Sequence, residues 1–302
     1  MARVGVDGLL VLDKPRGFTS RAAVNRAQRW FPRGTRLGHT GTLDPLATGV
    51  LVLCAGQATR LAEYVQAMEK VYRTTLRLGQ RSSTDDADGE ISSVVVDRPP
   101  DEAVLRQTLT EFLGEIDQVP PAFSAARITG RRAYDLARAG AAVSLQPRRV
   151  RIYDLRVLSY EYPRLELEVR CGKGTYIRSL ARDLGTHLGC GALVETLRRT
   201  RVGAFTVETA VSLEAEPALA RQRLLPLESA VAELPHRTLP SADLDRLRHG
   251  QALTLAGTSI DLHPGQEVAL FDAQGWLAAV ARLDGEARTL QPQKVLAAPS
   301  GG

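Results

Sequence analysis

The segment from Gly38 to Gly49 holds the residue of this sequence that is best placed to do chemistry. Its three glycines and one proline disfavour a regular helix or a central strand, because glycine is costly to order and proline lacks a donor N–H. Asp44 is its only acidic residue, and the Asp–Pro step keeps the Asp44 backbone extended. We expect a shaped loop that presents one carboxylate, which could act as a nucleophile or as a general base.

An Asp–Pro pair can also be purely structural. In an Asx-type turn the carboxylate of Asp44 would accept hydrogen bonds from its own backbone and would have no reactive role. The apolar run from Val50 to Ala55, directly after the loop, predicts a buried strand. Because reactive groups are often carried by loops on a rigid scaffold, this context favours the functional interpretation of Asp44.

A second glycine-containing segment, Gly172–Arg178, predicts a turn from a strand into a helix that Thr175 would cap. A nucleotide-binding P-loop is excluded, because its first glycine and its hydroxyl residue have no counterparts here. Arg178 would fall in the first turn, where the helix dipole disfavours a cation unless an anion neutralises it. That anion could be Asp44 or a phosphate; otherwise, Arg178 is an ordinary surface arginine.

The bulk composition is typical of a globular protein. The chain has 302 residues, 44% of them apolar and 24% charged, and this length suggests about two domains. No apolar run approaches membrane-spanning length and the N-terminal apolar patch is too short for a signal peptide, so we expect a cytoplasmic protein without membrane contact. Three cysteines without a C-x-x-C spacing and five histidines without an i, i+4 pair predict neither disulfides nor a metal site.

The charge is basic and is carried mainly by arginine. The formal net charge of +5 is consistent with a polyanionic partner such as nucleic acid, although many basic proteins bind nothing acidic. Of the 39 lysines and arginines, only four are lysines. Lys14, Lys70 and Lys173 lie near the other candidate residues, where a compact ammonium could contact a phosphate or stabilise a turn.

Hydrophobic periodicity predicts strands and helices, followed by a change of character near residue 233. The expected strands are a short one that begins at Gly8, then Val50–Ala55, Lys70–Leu78, Ile91–Val96, a strand around Ile116, 148–159, 164–171 and Leu193–Arg201. The expected helices are about 20–30, 57–68, 101–113, 175–188 and 213–231. Two Leu-Pro pairs then mark a boundary, and short strand-like runs separated by glycine turns follow. We expect a second domain at 234–302 that forms a small β-barrel.

A basic segment follows residue 126 and predicts a turn and a short helix. Its cationic surface would consist of Arg127, Arg131, Arg132 and Arg138 with Tyr134. Such a surface is either a solvated face or an RNA-contacting lobe.

The loop Arg81–Glu90 is acidic and holds Asp85, Asp86 and Asp88. A calcium site is excluded, because the D-x-D-x-D spacing, the glycine and the distal glutamate of an EF-hand loop are not present. We expect a turn with an acidic face.

Several motifs in one order resemble the TruB-type tRNA uridine-55 pseudouridine synthases. They are Leu12–Ser20, Gly38–Gly49, Tyr72–Arg73, Ser83–Gly89, Pro120–Ala125 and Lys173–Arg178. The resemblance runs from about Leu9 to Phe205, and the C-terminal part resembles an RNA-binding PUA domain less distinctly. Arg127 stands where this family would be expected to have a lysine.

The resemblance implies an α+β pseudouridine synthase fold with a mixed, mostly antiparallel sheet and a PUA-like C-terminal β-barrel. Residues 1–233 would form the catalytic domain, with an RNA-contacting insertion near 120–145, and residues 234–302 the RNA-binding domain. The enzyme would be an isomerase that flips uridine 55 out of the T loop of tRNA. Without a cofactor, it would exchange the C–N glycosidic bond for a C–C bond, with Asp44 as the single catalytic aspartate.

The resemblance also implies roles for further residues. Arg178 would be the partner of Asp44, Tyr72 would stack on the target base, and Tyr176 and Leu197 would line its pocket. His39 would fill the gap that the flipped base leaves in the RNA loop. The residues expected to contact RNA are Lys14, Arg127, Arg131, Arg132 and Lys173.

Two other functions are compatible with parts of this pattern. A tRNA-folding chaperone would use the same basic surface and need Asp44 only to shape a turn. A related synthase could act on ribosomal RNA or under a guide RNA, but the long basic tails expected there are missing and the stretch 120–145 is typical of a stand-alone tRNA enzyme. We therefore expect a monomer with no protein partner. Whether Asp44 adds to the base, attacks the sugar or removes a sugar proton stays open.

Overall fold

A computed structural model describes residues 6–124, 145–254, 263–285 and 289–297, together with the backbone of two short strands at 127–128 and 131–132. The side chains of Arg127, Arg131 and Arg132 lie outside the described residues. The same is true of Tyr134, of Arg138 and of the basic helix predicted around them.

Strands are the main regular structure of the described chain. In chain order they are β1 (Gly8–Lys14), β2 (Leu37–His39), β3 (Thr48–Ala55), β4 (Lys70–Leu78), β5 (Gln80–Ser82), β6 (Ile91–Ser93), β7 (Gly114–Gln118), β8 (Arg127–Ile128), β9 (Arg131–Arg132), β10 (Arg148–Glu161), β11 (Arg164–Cys171), β12 (Ala192–Val202), β13 (Phe205–Thr206), β14 (Val211–Ser212), β15 (His236–Thr238), β16 (Leu253–Thr254), β17 (Glu267–Phe271), β18 (Leu277–Asp284) and β19 (Thr289–Val295).

The helices are short. The α-helices are α1 (Ser20–Ala27), α2 (Ala62–Ala67), α3 (Glu102–Thr110), α4 (Ile177–His187), α5 (Pro217–Gln222) and α6 (Ser241–Arg248), and 3-10 turns span Gln28–Trp30, Gly56–Leu61, Val207–Thr209 and Leu227–Val231. The long helix predicted at 213–231 is wrong: α5 ends at Gln222, and Pro226 lies just before the following 3-10 turn. Proline has no N–H to continue a helix and disfavours a helical residue before it. No described helix is long and apolar enough to cross a membrane.

The main sheet has ten strands in the order β14-β1-β3-β12-β4-β11-β10-β7, with β2 paired to β3 and β13 paired to β12. β12 pairs parallel with β3 and β14 pairs parallel with β1, and the other pairs are antiparallel. The predicted mixed, mostly antiparallel sheet is therefore confirmed. Because β12 lies between β3 and β4, the start of β3 comes close to residues of both other strands.

Strands β1 and β3 are buried on both faces. Leu10 and Leu12 belong to a hydrophobic cluster with Trp30, whereas Leu9 and Val11 belong to a second cluster that includes Leu277 of β18. Successive side chains of a strand point to opposite faces of its sheet. Helices therefore cover one face of this part of the sheet. The other face is covered by α2 and by the 3-10 turns Gly56–Leu61 and Leu227–Val231, and residues of the C-terminal strands extend the same cluster.

Farther along the sheet, charged side chains cover the outer face of β4, β11 and β12. Glu69, Glu168 and Glu195 each lie between two arginines. Glu69 contacts Arg170 and Arg201, Glu168 contacts Arg73 and Arg156, and Glu195 contacts Arg77 and Arg164. Exposed ion pairs contribute little to stability individually, so their main effect is to neutralise the charge of this face.

The C-terminal strands form a separate five-stranded sheet in the order β15-β17-β18-β19-β16. β15 and β16 are its edges, and among the described residues no pairing joins them. The predicted PUA-like barrel is therefore not confirmed, because a closed barrel would pair its two edge strands.

Gly49 allows β3 and β12 to approach each other. Its φ of 99° is a conformation that side chains rarely adopt, and an added Cβ would lie 2.1 Å from the carbonyl oxygen of Arg199. Gly49 and Arg199 are register partners in the parallel pairing of β3 with β12. A side chain at this position would both strain the backbone and separate the two strands.

We therefore expect Gly49→Ala to lower the free energy of unfolding by about 4 kcal/mol, from backbone strain and overpacking combined. Gly250→Ala is the matched control, because Gly250 has a φ of 75° but no atom within 4 Å of an added Cβ. The control should lose only about 1 kcal/mol. Urea denaturation of the two variants measures the difference, and equal losses would contradict the role of the close contact.

Candidate active site

Asp44 lies on the loop 40–47 between β2 and β3. The loop is fixed by the buried side chains of Leu43 and Leu46 on either side of the Asp-Pro pair, and by a 3.0 Å hydrogen bond from Thr40 N to Val52 O. No backbone donor among the described residues binds the Asp44 carboxylate, so the Asx-turn alternative is not supported. The side chain of Asp44 remains 32% exposed, which leaves it accessible to a ligand.

Arg178 lies directly beside Asp44. Its Nε atom is 2.9 Å from Asp44 Oδ2, and only 5% of the arginine side chain is exposed. The N–H does not point along this contact, so the contact is an ion pair without an aligned hydrogen bond. Of the alternatives for Arg178, the structure shows pairing with Asp44 and excludes an ordinary surface arginine.

Three other groups hold the Arg178 guanidinium. Nη1 donates to the carbonyl oxygen of Thr84 and Nη2 to that of Phe123, both at 2.9 Å. Nη1 also lies 3.5 Å from Oδ2 of Asp86, a second buried carboxylate. A buried charge is stable only where partners surround it, and here they fix the orientation of the arginine toward Asp44.

The helix that carries Arg178 begins differently from the prediction. Tyr176 occupies the N-cap position of α4, and the Thr175 hydroxyl donates instead to the carbonyl oxygen of Gly172. The Oε1 atom of Gln118 accepts a 2.8 Å hydrogen bond from Tyr176 N, one of the free donors of the first turn. A distant glutamine thus replaces the predicted local cap.

The acidic loop is also corrected by the structure. Asp85 pairs with Arg182 at 3.1 Å, Asp86 with Arg178, and Asp88 with Arg16 at 3.6 Å. The three carboxylates thus bind arginines and do not form a free acidic face. Burial raises the pKa of Asp86, and hydrogen bonds from Thr84 and the charge of Arg178 oppose this change.

A cavity of about 570 Å³ opens in front of Asp44. Seven of the predicted site residues line it, namely His39, Asp44, Tyr72, Lys173, Tyr176, Arg178 and Leu197. Tyr72 on β4 and Leu197 on β12 are brought together by the pairing of these strands. The sheet, the loop 40–47 and the start of α4 thus converge on one concave site.

Tyr72 and Arg199 form a buried part of the cavity wall. Burial raises the pKa of Tyr72 and the charge of Arg199 opposes this change, so the phenol is neutral at physiological pH. Nε of Arg199 donates to Val50 O at 2.7 Å and Nη2 donates to Gly41 O at 3.2 Å, and these two bonds join the loop 40–47 to β3. Sequence reasoning missed Arg199, because nothing in the arginine-rich end of β12 distinguishes it from its neighbours.

Lys14 does not fit its predicted contact with RNA. The side chain is fully buried, and Nζ donates to the carbonyl oxygens of Pro15 at 3.0 Å and Phe18 at 2.8 Å. Burial lowers the pKa of Lys14 to about 8, while the nearby charge of Asp44 opposes this change. The alternative role, a turn contact, is the one that the structure shows. Lys70 is similar, because its ammonium binds the carbonyl oxygens of Gln66 and Met68.

His39 lies at the end of β2, where Nδ1 accepts a 3.4 Å hydrogen bond from Gly41 N. Burial, together with the charge of Arg199, lowers the pKa of His39 below its ordinary value of 6.5. Over the described ranges, no group of three or more His, Cys, Asp or Glu side chains is arranged to hold a metal ion.

Comparison with protein families gives two adjoining matches. Residues 29–177 match the N-terminal domain of the TruB family pseudouridylate synthases, and residues 178–232 match the C-terminal domain of tRNA pseudouridylate synthase B. Among curated proteins, the tRNA pseudouridine synthase B of Burkholderia mallei (strain NCTC 10247) is 43% identical over 288 residues, which cover 93% of this chain and 95% of the relative. The protein of the same name from Caulobacter sp. (strain K31) is 40% identical over 301 residues, 96% of each chain.

Solved structures share the fold. A Cbf5-Nop10-Gar1 complex contains a chain that matches with a TM-score of 0.75 and 27% identity, over 97% of this chain and 85% of that one. An H/ACA RNP bound to a substrate RNA containing 2'-deoxyuridine matches with a TM-score of 0.74 and 26% identity, over 97% and 86%. Because the matches cover 97% of the present chain, they extend over its ten-stranded and its five-stranded sheet.

The environment of His39 leads to a prediction about pH. Because its pKa is lowered, its imidazole should be neutral at pH 7 and become protonated only below pH 6.5. NMR titration of the imidazole resonances, assigned with His39→Gln, measures this midpoint in the free protein. A midpoint at or above 6.5 would show that burial and Arg199 do not control this side chain.

Proposed function

The chain belongs to the TruB family of pseudouridine synthases, and we propose that this enzyme converts uridine 55 in the T loop of tRNA to pseudouridine without a cofactor. The observation that carries the proposal is the ion pair between Asp44 and the buried Arg178 on the wall of a nucleotide-sized cavity. The curated relatives carry the name tRNA pseudouridine synthase B, which supports tRNA as the substrate.

The chemistry requires one well-placed carboxylate. The reaction breaks the C–N glycosidic bond of a uridine, turns the base and joins C5 to the sugar, so no atoms or electrons are gained or lost. Asp44 could start it by attacking the base or the sugar or by removing a sugar proton, and each role needs an ionised carboxylate. Arg178 supplies the complementary positive charge, and its fixed orientation holds the carboxylate in the cavity.

The cavity supports a base-flipping reaction. A uridine that is stacked in an RNA loop cannot reach Asp44, so it has to rotate out of the stack into a pocket. Tyr72 and Leu197 offer apolar surface for the flipped base, with Tyr176 at the rim. His39, in the neutral form, would enter the gap that the base leaves.

Charge along the chain supports RNA binding next to this cavity. Between Asp13 and Glu63, Asp44 is the only acidic residue, whereas the same segment contains seven arginines. Three of them, Arg33, Arg36 and Arg60, line a second cavity of about 570 Å³. No described carboxylate pairs with these three guanidinium groups, and Asp7 is the one acidic residue that also lines this cavity. Arg60 donates to the carbonyl oxygen of Val295, whereas Arg33 and Arg36 are available to RNA phosphates.

The position of this second cavity suits one continuous RNA. Arg36 lies three residues before His39, and a strand advances about 3.3 Å per residue, so their Cα atoms are about 10 Å apart. We infer that Arg33 and Arg36 hold the backbone of the tRNA whose uridine enters the first cavity. Lys173 on the rim of that cavity would hold a nearer phosphate.

The remaining predicted parts complete the proposal. The catalytic domain would be residues 1–233, and its basic insertion with Arg127, Arg131 and Arg132 would contact the T arm. Residues 234–302 would bind RNA outside the T loop. The enzyme would act in the cytoplasm as a monomer.

Asp44→Asn should abolish pseudouridine formation while the Kd for an unmodified tRNA transcript stays within about threefold of wild type, because the variant loses a reactive charge and no phosphate contact. Mapping of pseudouridine by position measures the reaction, and filter binding measures the Kd. Turnover by the Asn variant would contradict the catalytic role. A wild-type protein that binds tRNA without modifying it would favour a chaperone.

Arg33→Gln/Arg36→Gln should have the opposite effect. Binding should weaken, and the slope of log Kd against log salt should fall by about two, since two phosphate contacts are lost. The single-turnover rate at saturating enzyme should stay unchanged. Arg106→Gln/Arg156→Gln is the matched control, because it removes equal charge from arginines already paired with Glu102 and Glu168. If the control variant lost as much of the salt-dependence slope, the effect would come from net charge alone and not from phosphate contacts at the second cavity.

A further inference from the structure

The hydroxyl of Ser20 binds both the N–H and the carbonyl oxygen of Leu43, the residue before Asp44. Ser20 Oγ accepts a 2.8 Å hydrogen bond from Leu43 N and lies 3.1 Å from Leu43 O, to which it donates. Ser20 is 2% exposed and Leu43 is 3% exposed, so water does not compete for these bonds. One side chain at the start of α1 thus satisfies both polar groups of one residue in the catalytic loop.

The residue after Asp44 is held by the same segment of the chain. Gly17 N donates a 2.8 Å hydrogen bond to the carbonyl oxygen of Pro45. The turn that presents Gly17 is itself fixed by Lys14, whose buried ammonium binds the carbonyl oxygens of Pro15 and Phe18. Asp44 therefore lies between two backbone anchors, both of which come from residues 14–20.

Different residues fix the backbone of Asp44 and its carboxylate. Arg178 acts on the carboxylate alone, through its guanidinium. Ser20 acts on the backbone, and it does not line the cavity. An error of about 1 Å in the position of a reacting group can reduce a rate about 100-fold, so the backbone anchors matter for chemistry.

We propose that Ser20 is a positioning residue that sets the distance of the Asp44 carboxylate from the flipped uridine through its two hydrogen bonds to Leu43. The inference rests on the proposed function and names a residue that carries no reactive role itself. Without the hydroxyl, the buried Leu43 N–H loses its partner, and the loop shifts to recover one. The RNA-binding arginines are unaffected by that shift.

The neighbouring residue provides a matched control. Thr19 is the N-cap of α1, and its Oγ1 accepts a 3.0 Å hydrogen bond from Ala22 N. Within the described part of the chain, no hydrogen bond joins the Thr19 side chain to the loop 40–47. Thr19→Ala therefore removes a hydroxyl from the same helix end and costs about 1 kcal/mol of stability, without touching the support of Asp44.

The test compares Ser20→Ala, Ser20→Thr and Thr19→Ala on an unmodified tRNA transcript. Ser20→Ala should lower the single-turnover rate about 10- to 100-fold while the Kd stays within about threefold. Ser20→Thr keeps the hydroxyl and should recover most of the rate. Thr19→Ala should keep the wild-type rate although its Tm falls. If Ser20→Ala does not fold, Ser20→Cys, of similar size but with weaker hydrogen bonding, should show the same selective loss of rate.

A wild-type rate for Ser20→Ala, or for Ser20→Cys where only that variant folds, would overturn the inference. So would an equal loss of rate in Thr19→Ala, because the effect would then follow helix stability. A loss explained wholly by a higher Kd would assign Ser20 to RNA binding instead. Failure of the wild-type enzyme to form pseudouridine would refute the proposed function, whereas an active wild type with an unaffected Ser20 variant refutes this inference alone.

Discussion

The burial of the Arg178 guanidinium is the constraint on which the site depends. An arginine removed from water costs several kcal/mol unless charges and hydrogen-bond acceptors surround it. Here two carboxylates, Asp44 and Asp86, and the carbonyl oxygens of Thr84 and Phe123 do so. These groups come from three separate loops, and Arg178 comes from α4. The three loops must therefore be in place together before the arginine can be buried, so the pairing of Asp44 with Arg178 depends on the whole fold.

The sheet provides the second constraint, because it decides which residues meet Asp44. Strand β12 lies between β3 and β4, and this places Tyr72 and Leu197 beside the loop that precedes β3. Gly49 permits the close approach of β3 to β12, and the buried Arg199 binds Gly41 O and Val50 O across the same junction. The cavity is thus formed by strands that are distant in sequence, which is why its wall includes residues that no local motif contains.

The sequence predicted local features well and distant partners poorly. The strand Lys70–Leu78 has the predicted bounds, because its residues favour an extended chain regardless of its neighbours. Asp44 and Arg178 were found because a lone acid and a misplaced cation are visible locally. The pairing of Asp86 with Arg178 and the burial of Lys14 were not, since both depend on tertiary contacts. The predicted C-terminal barrel is not confirmed for a related reason: strand signals do not show whether a sheet closes.

The pattern of ion pairs, more than the net charge, indicates where RNA would lie. On the outer sheet face, three glutamates each lie between two arginines, so that this basic surface is largely neutralised. Residues 14–62 differ, because Asp44 is their only carboxylate. Arg16 and Arg26 pair with acids from elsewhere in the chain, but the arginines around the second cavity have no described acidic partner. These arginines would attract a polyanion to this segment, and few carboxylates there would repel it. Asp44, the one carboxylate of this segment, lies against the guanidinium of Arg178, so that part of its repulsion toward a polyanion is offset.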